Sequence, residues 1–157
     1  MLRNILAVIA GYIGMAIVVM GGLTGAYLMM GADKAFEPAT YEVTTTWLIV
    51  WGAVSVVSAI AAGLICAKIS KHAKGAVISL VILTGVLGAA KSVYMVTREI
   101  PPENLVRTGE TSNFEAMNKG IAPKWVSIAE PLIGIVGVIL GAMIVCPDRK
   151  KSGSALE

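Results

Sequence analysis

The stretch NILAVIAGYIGMAIVVMGGLTGAYLMMGA, residues 4–32, runs for 29 residues without a charged side chain, between Arg3 and Asp33. An α-helix rises 1.5 Å per residue, so about 20 apolar residues cross the roughly 30 Å hydrocarbon layer of a bilayer. The run is too long for a buried soluble helix that is apolar all round, and long enough to span a membrane. Three further runs share this character. Residues 43–67 carry no charge, residues 75–97 are interrupted only by Lys91, and residues 125–147 only by Glu130. Together the four take up 100 of the 157 residues.

The whole chain is 56% hydrophobic and 15% charged, with a mean hydropathy of +0.78, against roughly 45–50% and about 25% in soluble domains. That balance excludes a disordered chain, a disulfide-framed mini-protein and an ordinary soluble enzyme domain. A net charge of +3 is too small to point to nucleic acid. Open β-structure leaves backbone groups unsatisfied in lipid, and the alternation of a barrel is absent.

The sequence therefore predicts an all-α polytopic membrane protein, a four-transmembrane-helix antiparallel bundle. The helices are expected at about 4–31, 44–67, 75–97 and 125–146, within a single domain over residues 1–151. The first run has only Arg3 before it and far exceeds the roughly 7–15 residues of a signal core, so it reads as an uncleaved anchor. Residues 152–157 are small and polar, read as an appended linker, and are set aside.

Basic residues in short loops favour the cytoplasmic side. The N-terminus, the second loop and the C-terminal tail hold Arg3, Lys68, Lys71, Lys74, Arg149, Lys150 and Lys151, against Asp148 and Glu157. The opposite side holds Lys34, Arg98, Arg107, Lys119 and Lys124, against Asp33, Glu37, Glu42, Glu99, Glu103, Glu110 and Glu115. Both termini are thus expected to be cytoplasmic, in a prokaryotic plasma (inner) membrane. Trp47, Trp51 and Trp125 fall near the outer boundary, where aromatic rings settle at headgroup level; Tyr27, Tyr41 and Tyr94 fit the same belt.

Cys66 and Cys146 both lie near cytoplasmic helix ends, where a structural disulfide is not expected; they read as small apolar filler. With His72 alone in a basic loop, no metal-ligand pattern arises. No phosphate loop or nucleophile elbow occurs. No cofactor and no catalytic constellation is expected.

Helices in lipid gain little from hydrophobic burial against one another, so small residues that permit close approach carry their packing. Gly11, Gly14, Gly21, Gly22 and Gly25 on the first helix, Gly52, Ser55, Ala59 and Ala62 on the second, Gly85, Gly88 and Ala89 on the third, and Gly134, Gly137 and Gly141 on the fourth are the expected packing positions, with Gly21-x-x-x-Gly25 and Gly137-x-x-x-Gly141 as the small-residue steps. They close the bundle internally, or one stripe is left over for a second copy.

Lys91 and Glu130 are the two charges inside the apolar runs. At 1.5 Å per residue both lie about 7–9 Å below the outer boundary, on antiparallel helices, and an ion pair between them is expected. Pro131 removes a backbone bond and disturbs the carbonyl of Ser127, freeing it to accept a hydrogen bond, a cation or water. Lys91, Glu130, Tyr94 and Ser127 form the candidate binding set. The bland reading is a structural pair, or two side chains that snorkel to the interface.

The loop from Arg98 to Lys124 is the largest polar element. Pro101 and Pro102 stop the third helix, and Ser112-Asn-Phe-Glu115 has the form of a capping box with Gly120 as a stop. A short extracytoplasmic helix over residues 113–119 is expected. Thr40–Thr46 is β-prone, rich in Thr and Val. The reading that follows is a non-enzymatic accessory subunit or self-assembling scaffold, meeting membrane lipids and a membrane-protein or homo-oligomer partner through its Gly-rich faces and outer loop. The alternative is a small-solute or ion transporter with Lys91 and Glu130 at an outer-leaflet polar site.

Overall fold

A computed structural model describes residues 2–70, 73–99, 112, 115 and 119–145. The chain is an all-α four-helix bundle, and its four long helices mark it as a multi-pass membrane protein. They are α1 (Leu2–Met30), α3 (Thr45–Ile69), α4 (Ala73–Thr97) and α5 (Lys124–Val145), with the one-turn α2 (Ala32–Ala35) between the first two. Each is long and apolar enough to cross a membrane. Cys146, His72 and most of the expected helix over residues 113–119 lie outside the described residues.

Local chemistry sets the helix ends. Gly31, at φ +75°, ends α1 in a backbone region where a Cβ is costly, and its N–H donates to the carbonyl of Tyr27 at 2.8 Å. Thr44 caps α3, its hydroxyl accepting from the Trp47 N–H at 3.1 Å.

The packing order around the bundle is not the order of the sequence. α1 runs antiparallel along α3: Gly11 meets Ala62 and Cys66, Gly14 meets Ile65, and Gly22 meets Val54. α4 runs antiparallel along α5: Gly134 meets Thr84, Gly85 meets Ile135, and Gly88 meets the Pro131 ring. The two pairs are joined by α3 and α5, which run parallel. There a Cβ on Gly63 would strike the carbonyl of Val138, one on Gly141 the carbonyl of Ile60, and one on Gly137 would lie 2.5 Å from the Ala59 Cβ. The backbones themselves touch.

Gly63 is the packing position that the expected stripe omitted; it continues the small-residue step four residues beyond Ala59. Gly52, Gly21 and Gly25 do not close the bundle, since a Cβ at any of them meets nothing within 4 Å. Gly85 gives only ordinary contact with Ile135, at 3.4 Å.

The core sits at the end of the bundle that carries the N-terminus and the α3–α4 turn, called the terminal end. Ala7, Ala62, Cys66, Ala76, Leu80 and Val138 form one buried cluster, and α1 approaches α4 there, with a Cβ on Gly11 set to lie 3.0 Å from Leu80. Cys66 is a fully buried free thiol in this cluster, in keeping with small apolar filler.

The opposite, loop end is built differently. Tyr27 packs edge-on against Phe36 (centroids 6.3 Å apart) and Trp47 (6.0 Å), and Phe36 against Tyr41 (5.8 Å). The tyrosine belt is therefore corrected: Tyr27 and Tyr41 are buried, at 6% and 3% exposure, because each ring has aromatic partners within the fold. The β-prone segment forms no strand. It makes two isolated bridges, Phe36 with Val43 and Glu42 with Ile121, and the second stitches the first loop to the end of the long one.

Candidate functional site

The site begins with Pro131. Its ring nitrogen has no hydrogen to offer the carbonyl four residues back, so the Ser127 carbonyl is left without its helical donor. Ser92, on the facing helix α4, supplies one: its hydroxyl donates to the Ser127 carbonyl in a very short contact, and the Gly88 carbonyl lies 2.8 Å from the same oxygen. One hydroxyl proton serves two acceptors. The approach is close because Gly88 rests against the Pro131 ring, where an added Cβ would sit 3.0 Å from ring carbons.

Ser92→Ala should therefore cost about 1 kcal/mol, the usual worth of a hydrogen bond. In a Pro131→Ala background, which returns the helical donor to Ser127, the cost should largely disappear. Paired unfolding titrations in detergent would read the coupling.

One residue before Ser92, and one before Pro131, stand the two charges. Lys91 Nζ lies 2.7 Å from Oε1 and 2.8 Å from Oε2 of Glu130. The expected ion pair is present, and it is two-pronged. The side chains are 52% and 34% exposed, so the pair is half-embedded rather than sealed. Ser127 belongs to the same cluster. Tyr94 does not join it: the ring is 61% exposed and points along another face of α4, because the cluster-facing positions follow Lys91 at intervals of four and three, as Met95 and Arg98. Ser92 was missed in the sequence, although its signal was available in the carbonyl that Pro131 orphans.

Above the pair lies a cavity of about 400 Å³ between the α1/α3 and α4/α5 pairs, within the usual size range of ligand pockets. Its walls are apolar, from Val19, Leu23, Trp47, Trp51 and Val126. Its charged lining is the Lys91–Glu130 pair at the base and Arg98, Lys119 and Lys124 toward the loops. α1 packs along α3 and α4 along α5; α1 approaches α4 at Leu80, and toward the loop end the cavity lies between them. Residues 119–122 and Val43 cover it.

That cover is latched. Tyr41 donates its hydroxyl to Glu115 Oε1 at 2.7 Å, Lys119 Nζ lies 2.9 Å from the same oxygen, and the ammonium sits 5.3 Å from the Tyr41 ring centre. Ser112 Oγ accepts from the Glu115 N–H at 3.2 Å, one half of the expected capping box, and Glu115 and Lys119 are both helical. The Tyr41 hydrogen bond first, and Lys119 second, hold the Glu115 carboxyl below the ordinary carboxylate range; Glu115 in turn raises Lys119.

A lowered folded pKa gives stability that is present above the unfolded value and lost as pH falls through the folded one; a raised lysine contributes below its unfolded value and loses that only as pH rises through the folded one. At neutral pH both contributions are in place, and acid loosens the cover by protonating Glu115. Tyr41→Phe removes the leading cause and should move this loosening to higher pH. Amide exchange at Val43 and Ile121, whose N–H groups bond across the two loops at 3.1 and 2.8 Å, would report it.

The polar residues deeper in the helices do not extend the cavity. Ser58 donates to the Ser55 carbonyl, Thr84 to that of Leu80 and Ser79 to that of Gly75, at 2.8, 2.8 and 3.0 Å, and neither they nor Thr24 line it. Among the described residues no three His, Cys, Asp or Glu side chains converge. No known protein family, curated protein or solved structure matches the chain.

Proposed function

We propose that this multi-pass protein is a non-enzymatic binder, an accessory subunit or scaffold that works through its loop end, with both termini cytoplasmic in a prokaryotic plasma membrane. The observation that carries the reading is the tight seam between α3 and α5 below the cavity. Below the cavity α3 and α5 meet backbone to backbone at Gly63, Gly137 and Gly141, and the neighbouring hydroxyls of Ser58 and Thr84 are buried and bonded to their own helices. A solute leaving the cavity would have to break helix packing to go on. The seven basic residues that the sequence assigns to the side of the termini support the orientation.

Reconstituted into liposomes, the protein should pass protons, potassium and chloride no faster than empty vesicles do. Protein-dependent flux that Glu130→Gln abolishes would instead establish the transporter reading, which draws its support from the half-exposed Lys91–Glu130 pair at the cavity.

A further inference from the structure

The loop end as a whole is acidic, yet its cavity is basic. Of the five basic residues expected at this end, Arg98, Lys119 and Lys124 line the cavity, joined by Lys91 from within α4. Among the described acidic residues of the same end, Asp33, Glu37, Glu42, Glu99 and Glu115 all lie outside the lining. Glu130 is the one acid that does line it, and both its oxygens are held by Lys91. Lys119 is engaged by Glu115. Among the described residues neither Arg98 nor Lys124 has a carboxylate within ion-pair distance; Arg98 follows the last turn of α4 and Lys124 opens α5, both at the loop end of the cavity. Two cations with no carboxylate partner among the described residues thus stand at the rim of an apolar hollow.

The hollow is also open sideways. Met20 on α1 and Met95 on α4 both line it and are 53% and 41% exposed, so the parting of α1 from α4 gives onto the lipid. From Val19 to Tyr27 the α1 wall is about 12 Å long at 1.5 Å per residue, running down from headgroup level into the chain region. A cationic rim at that level over an apolar slot complements a molecule with an anionic head and a hydrocarbon tail.

We infer that the cavity is a binding site for an anionic phospholipid of the loop-side leaflet. Its phosphate lies between Arg98 and Lys124, and one acyl chain lies along Leu23 and Trp51 while the other remains in the bilayer. The ion pair has a defined part: Lys91 masks Glu130, which would otherwise repel the phosphate. The inference rests on the reading of the protein as a binder, and its test is independent of flux.

Trp47 and Trp51 face the cavity, whereas Trp125 is 60% exposed and would report bulk lipid. In a Trp125→Phe background, brominated phosphatidylglycerol should quench the remaining fluorescence at roughly one thirtieth the mole fraction that brominated phosphatidylcholine needs, the scale set by two basic groups near a membrane surface. The preference should fall severalfold in the Arg98→Gln/Lys124→Gln double variant and in high salt, and persist in Lys34→Gln, which alters a cation of the same end outside the cavity. Equal quenching by the two lipids, or a preference indifferent to salt, overturns the inference even where the double variant fails to fold. Stronger quenching by brominated oleate than by phosphatidylglycerol overturns the assignment to a phospholipid. Flux in the liposome assay with the lipid preference intact would refute the binder reading alone.

Discussion

Gly63→Ala should destabilise the bundle by about 2–3 kcal/mol, the upper part of the range for overpacking. The added methyl would strike the Val138 carbonyl and the Ala142 nitrogen. Both are backbone atoms of α5 and have no rotamer by which to move aside. Either α3 and α5 separate along their whole contact, losing the packing that replaces hydrophobic drive in lipid, or one helix bends. Gly141→Ala should behave alike, since its methyl would meet the carbonyl, carbonyl carbon and Cα of Ile60. The comparison that makes the result specific is Gly21→Ala or Gly25→Ala. With nothing within 4 Å of either position, alanine there should be neutral or gain about 0.5–1 kcal/mol from helix propensity. Thermal or denaturant unfolding of the four variants in one detergent would separate the two classes. Loss of stability at Gly21 comparable to that at Gly63 would show that the first-helix step is packed in the membrane by something other than this chain.

Lys91→Met carries the second large effect. Two opposing magnitudes decide it. The pair is about half exposed, and exposed pairs contribute only about 0–1 kcal/mol. Yet a lone charge within the hydrocarbon costs up to about 2.5–3.5 kcal/mol at the centre and less toward the boundary. Removing the lysine forfeits the small term and leaves Glu130 to bear the larger one, so a loss of about 1–2 kcal/mol is expected. Glu130→Gln should cost less, because the longer Lys91 stem can carry its ammonium to the interface. Lys91→Met combined with Glu130→Leu should cost less than the two single changes together, since no orphaned charge remains. An additive cycle would mean that the 2.7 Å contact contributes nothing to stability.

The two results bear on different parts of the molecule. The first concerns the seam that closes the terminal half, and the second the polar knot beneath the cavity. A protein that is closely packed at one end and parted at the other is suited to holding a ligand against its open end. The latch of Tyr41, Glu115 and Lys119 lies over that opening rather than within the bundle, which separates the pH dependence of the cover from the stability of the helices.

Much was legible in the order of residues. Four spans follow from runs with no charge or a single one, because lipid penalises every unpaired charge and every unsatisfied backbone group wherever the chain folds. The observed helices agree with expectation within about two residues at most ends. The Lys91–Glu130 pair follows from depth: two charges equally far below one boundary, on antiparallel helices, have each other as the nearest remedy. Even the orphaned Ser127 carbonyl follows from Pro131, a purely local rule. What sequence spacing could not decide was which faces meet. Glycines at residues 21 and 25 have the same step as those at 137 and 141, yet only the latter pair touches a neighbouring backbone.

The sequence by itself thus determined how many times the chain crosses the membrane and which polar groups lie within it, since solvation by lipid acts on each residue where it stands. Tertiary structure alone decided that α3 lies against α5, that α1 parts from α4, that Tyr94 turns away, and that Arg98 and Lys124 come to rim one cavity. Those outcomes depend on small differences in close packing between whole helix faces, and on distances between residues far apart in the chain, which no local pattern encodes.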